Sequence, residues 1–125
     1  MRALLDTSVL IGADAPAGVE AAISVVSITE LHFGVLVASD PDERARRADR
    51  LAVVESTFDP LPVSVEVARG WGRLAAAVAQ RGGKPRRRQI DLAIAATAQV
   101  EGVPLLTQNV ADFEIIKDLV DIQPP

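Results

Sequence analysis

The stretch Arg-Ala-Leu-Leu-Asp-Thr, residues 2–7, begins the chain with a short apolar run that ends at an acid. Residues 3–5 are continuous and apolar, which is typical of a strand buried on both faces of a parallel sheet. Asp6 follows directly and is therefore expected at the carboxyl end of that strand. Because sites in open parallel sheets form beyond the carboxyl ends of strands, Asp6 is the first candidate site residue.

The rest of the chain continues to alternate strand and helix signals. We predict further strands at residues 23–26, 103–107 and 120–123, with a weak strand at Val63, and helices at residues 7–13, 28–37, 41–58, 64–81, 89–101 and 112–119. Ser27 is the predicted N-cap of the second helix. Gly102 is expected to end the helix predicted at residues 89–101. Alternating units of this kind predict a parallel sheet covered by helices on both faces.

Length and composition limit the possible functions. The 125 residues suit one domain, residues 1–125, with one core. The absence of cysteine excludes disulfides, thiol nucleophiles and cysteine-ligated zinc. The single histidine, His32, excludes a zinc site with several histidines and argues against a Ser-His-Asp triad. No apolar run approaches the roughly 20 residues of a membrane-spanning helix, and Asp6 comes too early for a signal peptide, so we expect a cytoplasmic protein with no membrane partner.

Three further acids stand beside apolar segments. Glu30 follows the second apolar run, Asp91 opens the almost wholly apolar stretch of residues 92–98, and Asp112 follows a third run. An ionised carboxylate beside so much apolar surface is costly unless a positive charge compensates it. The chain places few fixed cations beside these acids, so a bound divalent metal is the simplest compensation. The pattern therefore predicts a metal-dependent hydrolase.

Each acid also has a purely structural interpretation. Ser27 and Glu30 match a capping box, in which the acid bonds back to the start of the helix. Asp91 can complement the dipole of its helix, although the side of the helix from which it emerges is apolar. Asp6 and Asp112 can each cap a turn or helix. Capping does not predict that all four acids meet, which is why we favour a shared site.

Basic residues are clustered although the formal net charge is −4. The first cluster consists of Arg44, Arg46, Arg47 and Arg50, and the second of Lys84, Arg86, Arg87 and Arg88. We interpret the first cluster as a solvated helix face. The second leads straight into Asp91, where a solvated surface and a phosphate contact are both open interpretations. Of the two, we predict the phosphate contact, made by Arg86, Arg87 and Arg88.

Four stretches carry a resemblance to a known family. They are residues 4–10 (Leu-Leu-Asp-Thr-Ser-Val-Leu), residues 27–31 (Ser-Ile-Thr-Glu-Leu) with Gly34, residues 91–98 (Asp-Leu-Ala-Ile-Ala-Ala-Thr-Ala) and residues 106–113 (Leu-Thr-Gln-Asn-Val-Ala-Asp-Phe). In this order and spacing they resemble the PIN domain, and more narrowly the VapC-type toxins of bacterial toxin–antitoxin pairs. The resemblance extends over residues 3–113.

The resemblance implies a fold, an activity and partners. The fold is a three-layer α/β/α sandwich with a short central parallel sheet. The activity is that of an endoribonuclease that cleaves RNA with one or two Mg²⁺ or Mn²⁺ ions. The partners are a small cognate antitoxin and further copies of the chain, in a homodimer or a larger toxin–antitoxin hetero-oligomer.

The resemblance also implies metal-site roles for Asp6, Glu30 and Asp91. Asp112 and Asn109 share the last position, because many relatives carry an acid where this chain has Asn109. We expect Asp112 to supply the missing negative charge. Since Mg²⁺ prefers oxygen ligands and keeps several waters, we predict Asp6 and Asp91 as direct ligands, with Glu30 and Asp112 binding directly or through water.

Polar residues beside the four acids are predicted to orient the metal ligands or bind substrate phosphate. They are Thr7, Ser8, Thr107 and Asn109. His32 stands on the opposite side of its helix from Glu30, and we interpret it as structural. Two alternatives stay open. One is a phosphatase or phosphotransfer domain with Asp6 as nucleophile, although Ser8 stands where such a site has a second acid. The other is an interaction domain with a vestigial acid cluster.

Overall fold

The computed structural model describes residues 1–11 and 17–125. Within those residues the strands are β1 (Arg2–Leu5), β2 (Glu20–Ile23), β3 (Leu105–Leu106) and β4 (Ile122–Gln123). The α-helices are α1 (Thr7–Ile11), α2 (Val25–Val37), α3 (Pro41–Thr57), α4 (Val65–Gln80) and α5 (Gln89–Glu101). Short 3₁₀ segments are formed by Pro85–Arg88, directly before α5, and by Val110–Ile116, between β3 and β4.

The four strands form one parallel sheet in the order β2-β1-β3-β4. Leu5, the last residue of β1, pairs with Ile23 at the end of β2 and with Leu106 at the end of β3. The carboxyl ends of these three strands therefore lie side by side at one edge of the sheet. This arrangement confirms the predicted parallel sheet and brings the residues that follow β1 and β3 together.

Apolar side chains leave the sheet in alternation and pack on both of its faces. Leu4 and Leu105 belong to a buried cluster with α4 and α5, whereas Leu5 and Leu106 belong to a second buried cluster with α1, α2 and α3. Complete burial of one such leucine stabilises the fold by roughly 2 kcal/mol. Helices cover both faces, so the three-layer α/β/α sandwich is confirmed. The consecutive buried residues 92–98 of α5 are explained by its position between the sheet and α4.

The start of α2 differs from the prediction. The predicted strand at residues 23–26 ends at Ile23, and the helix starts at Val25. Ser24, not Ser27, is the N-cap: its backbone is extended, and its side chain accepts a hydrogen bond from the backbone N–H of Val26 at 3.2 Å. The pairing of β2 with β1 stops at Ile23. The β-branched Val25 and Val26 are therefore not held in the sheet and form the first turn of α2.

Other boundaries also moved. The strands predicted at residues 103–107 and 120–123 are shorter, and the helix predicted at residues 112–119 is the 3₁₀ segment Val110–Ile116. Val63 is not in a strand; Leu61 instead forms an isolated bridge with Ser24. The predicted end of the first helix, at Ala13, lies outside the described residues. Gly102 ends α5 in the left-handed conformation (φ 68°), as predicted. None of the helices described could cross a bilayer, since none combines the length and the apolar character that this takes.

Candidate functional site

Asp6 lies at the carboxyl end of β1 with 4% of its surface exposed. Its backbone N–H donates to the carbonyl of Leu106 at 2.9 Å, which extends the pairing of β1 with β3. The hydroxyls of Ser8 and Thr107 both donate to Oδ2 of Asp6, each at 2.8 Å. Since both bonds fall on Oδ2, Oδ1 accepts none from the described part of the chain. Two neutral donors thus fix the carboxylate and leave one oxygen for another partner.

The same two hydroxyls hold the segment that follows β3. Ser8 Oγ accepts a hydrogen bond from the backbone N–H of Gln108, and Thr107 Oγ1 accepts one from the backbone N–H of Asn109, both at 3.0 Å. Thr107 is completely buried, whereas Asn109 is exposed. Asn109 therefore joins this network through its backbone.

Glu30 reaches the site from α2. Thr7 Oγ1 donates to Glu30 Oε1 at 2.5 Å and lies 3.0 Å from the buried Ser27 Oγ. Burial raises the pKa of the half-buried Glu30; the hydrogen bond from Thr7 lowers it, and the charge of Asp6 raises it. Glu30 stands six residues after the N-cap Ser24, too far for a capping box, so that structural interpretation is wrong.

Asp91 lies in the first turn of α5 with 25% of its side chain exposed. Its pKa is raised from 3.8 to about 6, chiefly by burial and also by the charges of Asp6, Glu30 and Asp112, while the charge of Arg88 lowers it. Asp91 lines the same cleft as Glu30, and Arg88 contacts both Asp91 and Asp112. Thr7, which follows Asp6 in the chain, donates to Glu30, so contacts connect the predicted acids into one region of the structure.

Arg88 contacts two of these acids. Its Nη1 lies 3.5 Å from Oδ2 of Asp91 and 3.2 Å from Oδ2 of Asp112. Asp91 is three residues away along the chain, but Asp112 belongs to the 3₁₀ segment after β3. Arg88 thus links the start of α5 to the segment that carries the fourth acid.

The second basic cluster forms the wall between two clefts. One cleft, of about 290 Å³, is lined by Glu30, Arg86, Arg87, Arg88, Gln89, Ile90 and Asp91. The other, of about 520 Å³, is lined by Val78, Gly83, Lys84, Arg87, Arg88, Ala111, Asp112, Glu114 and Ile115. Arg87 and Arg88 border both clefts. The basic cluster therefore stands next to the acids on either side.

The first basic cluster has a structural role instead. Arg44 donates to the carbonyls of Ala38 and Leu36, both at 3.2 Å, and Arg47 donates to the carbonyl of Gly34 at 2.7 Å. These carbonyls lie at the end of α2, where helical partners run out. The solvated face predicted for this cluster is thus only part of its role. His32 lies exposed on α2.

Two contributions to the site were missed in the sequence. Ser27 was assigned to a helix cap, but its hydroxyl lies within hydrogen-bond distance of Thr7. The presence of a second serine, Ser24, ahead of the same helix was the available signal. The contact of Arg88 with Asp91 could have been inferred from their i, i+3 spacing on a helical turn. Its contact with Asp112 spans too many residues to leave a local signal.

The donor set suits a hard divalent cation. Four carboxylates offer oxygen ligands, the kind that Mg²⁺ prefers, and their mutual repulsion raises the pKa of Asp91. Across residues 1–11 and 17–125, however, no three acid or imidazole side chains already stand in an arrangement that encloses an ion. Arg88 lies between Asp91 and Asp112 instead. The residues fit a metal by chemistry, and closing around one requires side-chain movement.

Comparison with known proteins agrees with this geometry. The model of the PIN domain matches residues 3–118. Ribonuclease VapC4 of Mycobacterium tuberculosis is 39% identical over 125 aligned positions, which cover 94% of this chain and 93% of that protein. Ribonuclease VapC5 of the same organism is 38% identical, with 96% and 91% covered.

A solved structure shares the whole fold. It is the crystal structure of VapBC-5 from Mycobacterium tuberculosis, described as a member of the VapBC family of toxin–antitoxin systems. The two chains are 35% identical, with a TM-score of 0.83 and coverage of 98% of this chain and 96% of the other.

Proposed function

The chain belongs to the PIN domain family, and we propose that it is a divalent-metal-dependent endoribonuclease, the toxin of a toxin–antitoxin pair. The observation that carries the proposal is the convergence of four carboxylates at the carboxyl edge of the sheet. Relatives named as ribonucleases match nearly the whole chain and support the same activity. Because RNA is the substrate, we place this action in the cytoplasm.

Asp6 and Asp91 are proposed to hold Mg²⁺ or Mn²⁺ directly, with Glu30 and Asp112 binding directly or through water. One or two ions suit a set of four acids. A bound divalent ion stabilises negative charge on the phosphate and makes bound water a better nucleophile. Asp112, rather than the neutral and exposed Asn109, is proposed as the fourth acid, because the same nitrogen of Arg88 contacts the carboxylates of Asp112 and Asp91.

Neighbouring residues prepare these acids for their role. Ser8 and Thr107 fix Asp6 through Oδ2, and Thr7 orients Glu30 through Oε1. Such hydrogen bonds to ligands hold them in place for a cation. Asp91 has a pKa of about 6 and so retains a proton on its carboxylate only below neutral pH. A cation bound nearby would lower the pKa of Asp91, since it favours the ionised form.

The basic residues beside the acids are proposed to bind the RNA backbone. Arg86 and Arg87 are exposed and border the clefts next to Asp91 and Asp112. Arginine suits this role because its planar guanidinium matches phosphate geometry. Such contacts hold the RNA without reading its sequence.

The chain is proposed to pair with a cognate antitoxin and to form a homodimer or a larger complex with it. The solved Mycobacterium tuberculosis relative is a toxin–antitoxin system. Helix α2 also offers apolar surface, because Phe33, Leu36 and Val37 are 65%, 60% and 54% exposed. Exposed apolar residues grouped on one element suit burial against a protein partner.

The proposed activity is tested by incubating purified protein with single-stranded RNA and either Mg²⁺ or Mn²⁺. Cleavage should require the ion, stop with excess EDTA, and return when the ion is restored. Internal cuts in an RNA blocked at both ends would identify an endonuclease. RNA that stays intact with either ion would contradict the proposal.

The two alternatives have less support. A phosphotransfer site with Asp6 as nucleophile would have an acid two residues later; Ser8 stands there instead, and its hydroxyl donates a hydrogen bond to Asp6. An interaction domain with a vestigial cluster does not require Asp6 to be fixed by two buried or half-buried hydroxyls. Release of phosphate from a phosphomonoester, without RNA cleavage, would favour the first alternative.

A further inference from the structure

Arg88 makes an unusual pair of contacts with the acids. A single nitrogen, Nη1, lies 3.5 Å from Asp91 and 3.2 Å from Asp112. Elsewhere in the chain, Arg81 binds Asp118 through two nitrogens at 2.7 and 3.1 Å. A guanidinium is strongest in that bidentate form. Arg88 therefore neutralises charge between two carboxylates without forming a strong pair with either.

The surroundings of Arg88 allow its side chain to move. Its side chain is 46% exposed, and its residue joins the 3₁₀ segment Pro85–Arg88 to α5. Long, partly exposed ion pairs of this kind contribute only up to about 1 kcal/mol each. Because Arg88 borders both clefts, its guanidinium can leave the two acids and still remain within the clefts.

We propose that Arg88 is the resident counter-ion of the acid cluster. When a divalent cation binds, it displaces the Arg88 guanidinium from Asp91 and Asp112, and the guanidinium then donates to an anionic group in the clefts. A guanidinium and a divalent ion repel each other and compete for the same carboxylate oxygens. Binding of the cation to the acids therefore releases the Arg88 side chain, which can then bind phosphate. The inference rests on the proposed function only in assuming that a divalent ion binds these acids.

Calorimetric titration with Mn²⁺ in the absence of RNA tests this coupling. In Arg88→Gln the competing charge is gone, so Mn²⁺ should bind roughly threefold to tenfold more tightly than to the wild type. Arg69→Gln is the matched control: it removes the same charge from an exposed side chain of α4 that has no ion pair among the described residues. Its affinity for Mn²⁺ should change by less than about twofold. Arg88→Lys, which keeps the charge, should return the affinity toward the wild-type value.

Equal or weaker binding of Mn²⁺ to Arg88→Gln would overturn the proposal, because a residue that only positions the acids would cost affinity when removed. No binding to either protein would overturn it as well. If Arg88→Gln fails to fold, Mg²⁺ titration of the wild type followed at the Arg88 Nε–H resonance decides. That resonance should shift as the ion binds, and an unchanged resonance at saturation would contradict displacement. Tighter Mn²⁺ binding in a protein that leaves RNA intact would support this inference while refuting the nuclease.

Discussion

Neutralising Asp91 should stabilise the metal-free protein above pH 6. In the folded chain, burial and three neighbouring acids raise the pKa of Asp91 from 3.8 to about 6. The folded state therefore binds a proton more tightly than the unfolded state, and stability is lost as pH rises from about 4 through 6. At 1.36 kcal/mol for each tenfold change, the full cost of ionisation is about 3 kcal/mol. Because 25% of the side chain is exposed, solvent screening reduces this to about 1–2 kcal/mol.

Asp91→Asn removes that cost. Urea unfolding in EDTA at pH 7.5, followed by the fluorescence of Trp71, should show the variant more stable by about 1–2 kcal/mol, or about 3–10 °C in melting temperature. The gain should largely disappear near pH 4, where Asp91 is protonated in the folded wild type. Asp59→Asn, which removes a charge from an exposed acid, is the matched control and should change stability little. A variant no more stable than the wild type at pH 7.5, or equally stabilised at pH 4, would refute the account of electrostatic strain.

Three further predictions concern the metal, the RNA and the residues that hold Asp6. Millimolar Mg²⁺ or Mn²⁺ should raise the melting temperature of the wild type by mass action but not that of Asp6→Asn, and a melting curve insensitive to either ion would favour a vestigial cluster. Replacing Arg86 and Arg87 with Ala should weaken RNA binding and leave the cleavage sites unchanged. The slope of log affinity against log salt concentration should flatten by roughly one unit per lost contact at most. Altered cleavage sites with an unchanged salt slope would argue against phosphate contacts. Thr107→Val should weaken Mn²⁺ binding by about tenfold or more, because it removes a hydrogen bond to Asp6. Thr97→Val is the control and should leave Mn²⁺ binding unchanged, because Thr97 is equally buried but bonds only to a helix carbonyl. Equal effects of the two substitutions would mean that Thr107 acts only in packing.

The position of the acids was predictable because parallel strands share a carboxyl edge. The apolar run before Asp6 identified β1, and the alternation of elements identified the sheet type, so the meeting of Asp6 with Thr107 follows from the order of elements. Asp91 was recognisable as a site residue because α5 is apolar around it. These inferences depend on local periodicity and on general rules of sheet topology, both of which a single sequence carries.

The start of α2 and the contact of Arg88 with Asp112 were not predictable in the same way. Two serines, Ser24 and Ser27, both suit an N-cap, and the choice between them depends on where pairing with β1 ends. That pairing is a long-range contact with no local signal. The same is true of Arg88 and Asp112, which the 3₁₀ segment after β3 brings together.

The central claim is that the carboxylate cluster cleaves RNA, and the nuclease activity of Asp91→Asn tests it most directly. The variant, the wild type and Asp59→Asn would be compared on one RNA at saturating Mn²⁺, each first shown to be folded. Changes to residues that only orient metal ligands already cost about 10–100-fold, so losing a direct ligand should reduce the cleavage rate by more than about 100-fold, with Asp59→Asn unaffected. Cleavage by Asp91→Asn at a rate near that of the wild type would contradict the assignment of the site.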